Sequence, residues 1–265
     1  FFLSQERAGC INDLDPDLYG LWSMNSEDFE VFMNCARHIE AARVAIRFAK
    51  INNDMSPEEM YDAIADEMAG DLNFIPDVSL ISKSVSLKRS FIAKNKIADP
   101  DNIIITACFS AHYIHIRNLY NQSSSGPAHL AYFLFMREFA FSSMFRFSAS
   151  GAFNVPYSGA SYNNRSFWSR VGQMEAIRKM DFFKNTEKHN SDFSTFINRV
   201  NPGPDDFIFL DPPYDSAFSD YGVGKFTMDD QTRLMESMLD TKAFFMSVMK
   251  ATPAIIEIWE RHEFN

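Results

Sequence analysis

Asp211-Pro212-Pro213-Tyr214 follows directly on the apolar run Phe207-Ile208-Phe209-Leu210, so a carboxylate, two imino residues and a phenol emerge together where a buried strand is expected to end. These groups suit one chemical problem. The exocyclic amino group of a nucleobase is a poor nucleophile because its lone pair is delocalised into the ring. The Asp211 carboxylate and the Pro212 carbonyl can accept the two amino hydrogens, which favours a pyramidal nitrogen with its lone pair directed at a methyl donor. Pro212 brings no competing N–H, and two prolines fix φ and stiffen the turn. The ring of Tyr214 can stack on a base that has left its duplex. The bland alternative is a proline-rich turn after a strand, and the rest of the chain decides between the two.

The elements that must position this turn can be read coarsely. Residues 9–14 form a short strand whose end delivers Asp13, and Asp15 caps a helix beginning at Pro16. An acid at the end of the second strand of a doubly wound sheet binds ribose hydroxyls, a place that suits Asp13 and its neighbour Leu14. Asp15 and Asp17 read as a cap and a solvated first-turn acid. Residues 29–52 carry Phe32, Cys35, Ile39, Ala42 and Ile46 at helical spacing and predict one amphipathic helix. Ser56-Pro57 starts another, running to about residue 69. Residues 71–127 are less regular, with 103–105 a strand or a buried helical turn and 122–127 a loop. An apolar segment over 128–147 leads to a hairpin, residues 167–183 are helical, and Thr227 caps a helix over 229–239. A strand over 243–250 and a helix over 253–261 close the chain. Ser191-Asp192-Phe193 by itself reads as a helix cap. The stretch from Ser216 to Phe226 reads equally as a lid over the site or as a plain surface connection.

Composition bounds the function. With 265 residues and 46% hydrophobic content the chain can bury a sizeable core, and most of its 27 phenylalanines belong there. No apolar run reaches the length of about 18 residues needed for a membrane span, and the first residues lack the pattern of a signal peptide. Three widely spaced cysteines suggest a reducing cytoplasm and no zinc site. The net charge of −10 is unfavourable for binding nucleic acid, but the charge is segregated: residues 82–199 hold 15 basic and 7 acidic side chains between two acidic ends. Within that basic middle, Ser148 to Ala152 form a tip of small residues flanked by Arg146, Asn154, Pro156, Tyr157, Tyr162, Asn163, Asn164 and Arg165. Arg and Asn match base edges and Tyr can fill the gap left by a flipped base, though without further support an ordinary polar hairpin is the simpler reading. Lys83, Lys88, Arg89, Lys94 and Lys96 form a second basic run suited to phosphates.

Four blocks in order resemble the Dam-type amino-methylating DNA methyltransferases. Cys10 to Tyr19 resembles the end of that family's second strand, and Phe153-Asn154-Val155-Pro156-Tyr157 resembles its DNA-reading hairpin. Ser191-Asp192-Phe193 resembles the element that holds the cofactor adenine, and Asp211 to Tyr214 resembles its catalytic motif. The resemblance implies an α/β fold, a doubly wound Rossmann-like sheet with an inserted, mainly helical DNA-recognition lobe carrying a β-hairpin. It implies a first catalytic segment over 1–52, the lobe over 53–166 and a second catalytic segment over 167–265. S-adenosylmethionine would be the methyl donor, leaving S-adenosylhomocysteine, with no metal. Asp13, Leu14, Asp192, Phe193 and Asp211 would hold the donor, Asp211 to Tyr214 would act on a flipped adenine, and Arg146, Ser148, Asn154, Pro156, Tyr157, Tyr162, Asn164, Arg165, Lys88 and Arg89 would contact double-stranded DNA. A cognate restriction enzyme is the implied companion, in a bacterial or phage setting. Two departures stand out: the family's Phe-x-Gly-x-Gly cofactor loop does not occur, and the C-terminal hairpin strand is missing. The sequence is therefore expected to be part of a longer chain. The rival readings are a DNA-binding module without activity, and an amino-methyltransferase acting on cytosine or RNA.

Overall fold

The computed structural model describes residues 9–98, 100–213 and 226–260. In chain order its main elements are β1 (Cys10–Asn12), α1 (Pro16–Ser23), α2 (Ser26–Phe48), α3 (Pro57–Glu67), α4 (Val78–Asn95), α5 (Asp101–Gln122), α6 (Pro127–Phe139), α7 (Phe167–Lys179), α8 (Asp181–Asn185), β2 (Glu187–His189), α9 (Phe193–Val200), β3 (Phe207–Leu210), α10 (Met228–Leu239), β4 (Phe244–Ser247) and α11 (Pro253–Glu260). They fall into two compact units, Ser23–Lys184 and the pair Phe1–Trp22 with Asn185–Asn265. The sequence partition breaks instead at 52 and 166. The difference lies in α2, whose apolar stripe of Phe32, Ile39, Ala42 and Ile46 is completely buried within the helical unit. No helix among the described residues is long and apolar enough to cross a membrane.

In the unit Ser23–Lys184 Ser56 caps a helix where the sequence put it, while α2 starts at Ser26, ahead of the expected residue 29. Asn25 accepts from the Asp28 N–H to start α2, and Ser56 with Glu59 makes a reciprocal capping box ahead of Pro57 in α3. The irregular reading of residues 71–127 is corrected: they form the long helices α4 and α5, and Ile104 lies inside α5 with no exposed surface. Of the two readings open for the β-branched run Ile103-Ile104-Ile105, the buried helical turn holds, because tertiary burial overrides its strand propensity. At the centre lies Arg43, 0% exposed, its guanidinium 3.8 Å over the Phe139 ring and 4.9 Å over Phe109. Its Nη2 donates to the carbonyls of Tyr162, Asn163 and Arg165 at 2.9, 3.3 and 3.2 Å, so the buried charge is held by backbone dipoles and aromatic faces.

In the other unit, β1 pairs with β2 and β3 with β4, both in parallel. Where a single doubly wound sheet is expected, the described residues form these two separate parallel pairs. Parallel pairing without hairpins and with intervening helices is the signature of an α/β chain. One face of β3 and β4 packs through Ile208, Leu210 and Phe245 against Ile197 of α9 and Leu234 and Met238 of α10. The other face, Phe207, Phe209, Phe244 and Met246, is exposed, so the apolar run before Asp211 is half buried rather than wholly buried as expected.

Candidate functional site

β3 ends at Leu210, whose carbonyl accepts from the Val248 N–H at 2.9 Å, and the chain leaves the ladder at Asp211. Asp211 is exposed, Pro212 is buried and Pro213 is half-buried, so the carboxylate projects outward from a turn anchored by its prolines. Tyr214, and the loop from Ser216 up to Lys225, lie outside the described residues. The Pro213 carbonyl accepts from Gln231 Nε2 at 3.5 Å. Gln231 is 2% exposed, and its Oε1 has no partner among the described residues.

The ends of β1 and β2 are laced together by side-chain amides. Asn12 Nδ2 donates to the Ser191 carbonyl at 2.9 Å while its Oδ1 accepts from the Ser191 N–H at 3.1 Å. Asn190 Nδ2 donates to the carbonyls of Asp13 and Leu14 at 2.8 and 3.0 Å. This lacing brings Asp13 and Leu14 alongside Ser191 and Asp192, two blocks far apart in sequence. Asp13 Oδ1 accepts from the Asp15 N–H, and Asp15 accepts from the N–H groups of Asp17 and Leu18, as a helix cap should. Burial pushes the Asp15 carboxyl upward. Asp192 caps α9 through the Ser194 N–H at 3.0 Å and also faces Arg233. Arg233 Nη1 turns to Asp230, and the guanidinium lies over the Phe193 ring. Carboxylates at a parallel strand end and beside an aromatic ring fit the hydroxyl and amino donors of an adenosyl group.

In the helical unit, two antiparallel bridges, Ala140 with Tyr157 and Phe147 with Phe153, join the arms on either side of the small-residue tip. At the tip Ser148 donates its N–H to the Ala152 carbonyl at 2.8 Å, and Gly151 takes φ +80°, a conformation glycine adopts freely. Alternation sorts the expected DNA contacts: Asn154 and Pro156 face outward, and Phe153, Val155 and Tyr157 face inward. Arg146 is exposed and donates from Nε to Asn154 Oδ1 at 3.1 Å, and Ser148 Oγ bonds Ser150 Oγ at 2.8 Å. Tyr157, expected to fill the gap of a flipped base, is only 9% exposed and donates to Asn163 Oδ1 at 3.0 Å; strand alternation makes it a core residue. Arg165 stacks over Tyr162 at 3.8 Å and faces Glu138 at 3.6 Å, while Asn164 is exposed. Lys88 and Arg89 lie on α4, and Arg89 Nη2 donates to the carbonyls of Asn53 and Met55, a tie to the α2–α3 connection rather than a free cation.

A model of the D12 class N6 adenine-specific DNA methyltransferase family matches residues 2–264. The chain belongs to this family. Similar proteins include the Type II methyltransferase M.CviBI of Paramecium bursaria Chlorella virus NC1A, 30% identical over 128 residues, covering 48% of this chain and 46% of the relative. The Retron Ec67 DNA adenine methylase of Escherichia coli is 28% identical over 173 residues, 63% of this chain and 54% of its own. The Type II methyltransferase M.MjaIII of Methanocaldococcus jannaschii is 27% identical over 130 residues, 46% and 43% of the two chains. The chain thus spans about half the length of the curated relatives it matches.

Sequence reasoning missed several residues of this D12 chain. Tyr113, Arg117 and Asn121 recur every four residues along α5 and grip the Phe153 arm. Tyr113 Oη and Arg117 Nη1 donate to the Val155 carbonyl at 3.0 and 3.1 Å, and Asn121 pairs with both backbone groups of Phe153 at 2.8 and 3.1 Å. The signal was present as Tyr113, Arg117 and Asn121 spaced to share one face of the helix. Asn163 ties Tyr157 to Thr106, Nδ2 donating to Thr106 Oγ1 at 2.9 Å. Gln231 and Arg233 carried no signal, because only tertiary packing sets α10 against the strand ends.

Proposed function

We propose that this chain carries the catalytic and DNA-reading parts of an adenine-N6 DNA methyltransferase, which acts on a flipped adenine in duplex DNA. The observation that carries the reading is the Asp211-Pro212-Pro213 turn, held at the end of a parallel strand, in a chain that a family of N6 adenine-specific DNA methyltransferases matches along nearly its whole length. The two parallel pairs are read as parts of one doubly wound sheet, and the bridged arms over 140–157 as its DNA-reading hairpin.

Asp211 and the Pro212 carbonyl accept the two hydrogens of the adenine amino group and draw its lone pair out of conjugation. As the nitrogen gains positive charge, the carboxylate stabilises it. S-adenosylmethionine, when bound, supplies an activated methyl group. Asp13 would hold its ribose hydroxyls, and Asp192, with Phe193 and Leu14, its adenine. Arg146, Asn154 and Asn164 would face base edges, with Arg165 and Lys88 on phosphates. A cytoplasmic setting and pairing with a restriction enzyme belong to the same proposal, since two of the similar proteins are named Type II methyltransferases.

The test is transfer of labelled methyl from S-adenosylmethionine to unmethylated duplex DNA, followed by nucleoside analysis, with this chain and with an N-terminally extended one. N6-methyladenine from either supports the reading. Methylcytosine, or labelled RNA in place of DNA, would replace the substrate. Tight DNA binding with no methylated base from either would point to a DNA-binding module.

A further inference from the structure

Away from the Asp211 turn, one face of the β1–β2 pair gathers three different metal-binding side chains. The parallel register sets Cys10 opposite Glu187, and the two-residue period of a strand puts His189 on the same face as Glu187. Cys10 Sγ, a Glu187 carboxylate oxygen and a His189 ring nitrogen all lie within 4.8 Å of one another, with His189 Nε2 at 3.3 Å from Glu187 Oε2. Thiolate, imidazole and carboxylate bind zinc at about 2.0 to 2.3 Å in a tetrahedron. Such bonds set ligand atoms roughly 3.3 to 3.8 Å apart, a spacing that small side-chain rotations reach from here.

We propose that Cys10, Glu187 and His189 form a three-ligand site for a borderline divalent cation, zinc foremost, with a water completing the tetrahedron. Oxygen-preferring magnesium and calcium are disfavoured by the sulfur and nitrogen donors. The surroundings favour a cation. The Glu187 carboxylate beside the thiol and imidazole supplies negative charge that a bound divalent ion would neutralise. On binding, the Cys10 thiol releases its proton to solvent, and the His189 ring carries its proton on Nδ1 while Nε2 takes the metal. Arg199 Nη1, which donates to His189 Nδ1 at 3.1 Å across an exposed contact, must then turn away. Phe196 packs beside the imidazole, with ring centroids 5.1 Å apart, and limits its rotation. The ion would clamp two three-residue strands just before the positions where they deliver Asp13 and Asp192. This role is structural, and it is independent of the methyl-transfer reading.

The test uses the whole chain, free of any histidine tag and stripped of metal, titrated first with Co2+ and then with Zn2+. The expected result is one equivalent of tetrahedral cobalt with a sulfur-to-cobalt charge-transfer absorption, displaced by one equivalent of zinc, and a rise in Tm with zinc. Cys10 is exposed, so Cys10→Ser should fold and lose the charge-transfer band. His189→Gln should weaken binding at least about tenfold, and Arg199→Gln, which removes a repelling cation and offers an acceptor to Nδ1–H, should tighten it severalfold. Absence of the band in the wild type overturns the proposal, as does a band that survives Cys10→Ser. None of these readouts depends on methyl transfer, so a failure here and a failure of the proposed activity remain distinguishable.

Discussion

Arg233 Nη2 lies 2.9 and 3.0 Å from the two carboxylate oxygens of Asp192, and the same guanidinium sits 4.8 Å over the Phe193 ring. One cation thus covers two of the residues proposed for the cofactor adenine. The sequence order concealed this, because Arg233 belongs to α10 and its partners open α9. Both side chains of the pair are substantially exposed, so the ion pair adds little to stability. Arg233→Gln should therefore shift Tm by only a few degrees while S-adenosylmethionine binds severalfold more tightly, the acceptor having been released. Asp192→Ala should weaken that binding about tenfold, the value of one charge-assisted hydrogen bond. Calorimetric titration of both variants reads the two signs, and an unchanged affinity in Asp192→Ala removes that residue from the site.

Asp211→Ala should lower the methyl-transfer rate at least about a thousandfold, because it removes the charged acceptor on which the amino group depends. Duplex affinity, measured by fluorescence anisotropy, should stay within about twofold, since one exposed carboxylate facing an anionic polymer adds little attraction. Retained turnover in this variant refutes the assignment.

Gln231→Leu separates positioning from stability. The side chain is 2% exposed and its Oε1 is unpartnered among the described residues, so a leucine of similar size removes a buried polar atom along with the long bond to the Pro213 carbonyl. Stability should be unchanged or higher. Turnover should fall about tenfold, a barrier change of roughly 1.4 kcal/mol, with KM for DNA unaltered.

Asn121 and Arg146 should behave in opposite ways. Asn121→Leu strands the Phe153 N–H and C=O and should destabilise the helical unit by about 1 to 3 kcal/mol in urea unfolding. Arg146→Ala should leave stability untouched and instead lower discrimination between cognate and altered sites by about 1 to 3 kcal/mol, measured by competition binding.

His112 sets an acid limit. It is fully buried, both ring nitrogens are unpartnered among the described residues, and burial first, then Arg43 and His115, holds its pKa well below 6.5. The unfolded chain therefore binds the extra proton first. The neutral ring leaves stability undiminished above pH 6.5, and stability falls as pH drops below that value, by up to about 1.4 kcal/mol per unit. In His112→Phe, which keeps the volume beside Phe135, that part of the slope should vanish between about pH 6 and 4 in urea unfolding monitored by circular dichroism.

The turn proposed to act on the base could be read without coordinates because it is local: Asp211 and its prolines are consecutive, and covalent geometry alone puts them together. The helix starts at Ser56 and Thr227 were legible for the same reason, since a cap and its partner three residues on are set by backbone periodicity. Asp15 as a cap follows that rule too. Where the reading failed or stayed open, packing had intervened. Residues 103–105 carry strand-forming side chains, so the sequence left strand and helix open, and packing decided for α5 because the core accepts their bulk on a helix. Tyr157 has the composition of a recognition residue, but the alternation of its strand turns it inward toward Asn163. The lacing of Asn12 to Ser191, the grip of Asn121 on Phe153 and the meeting of Cys10 with Glu187 join residues whose separation in sequence carries no signal. Local order along the chain therefore determined which chemistry this protein holds. Which side chains face that chemistry, and which cations and amides steady them, was decided only when burial of the apolar faces brought distant segments into register.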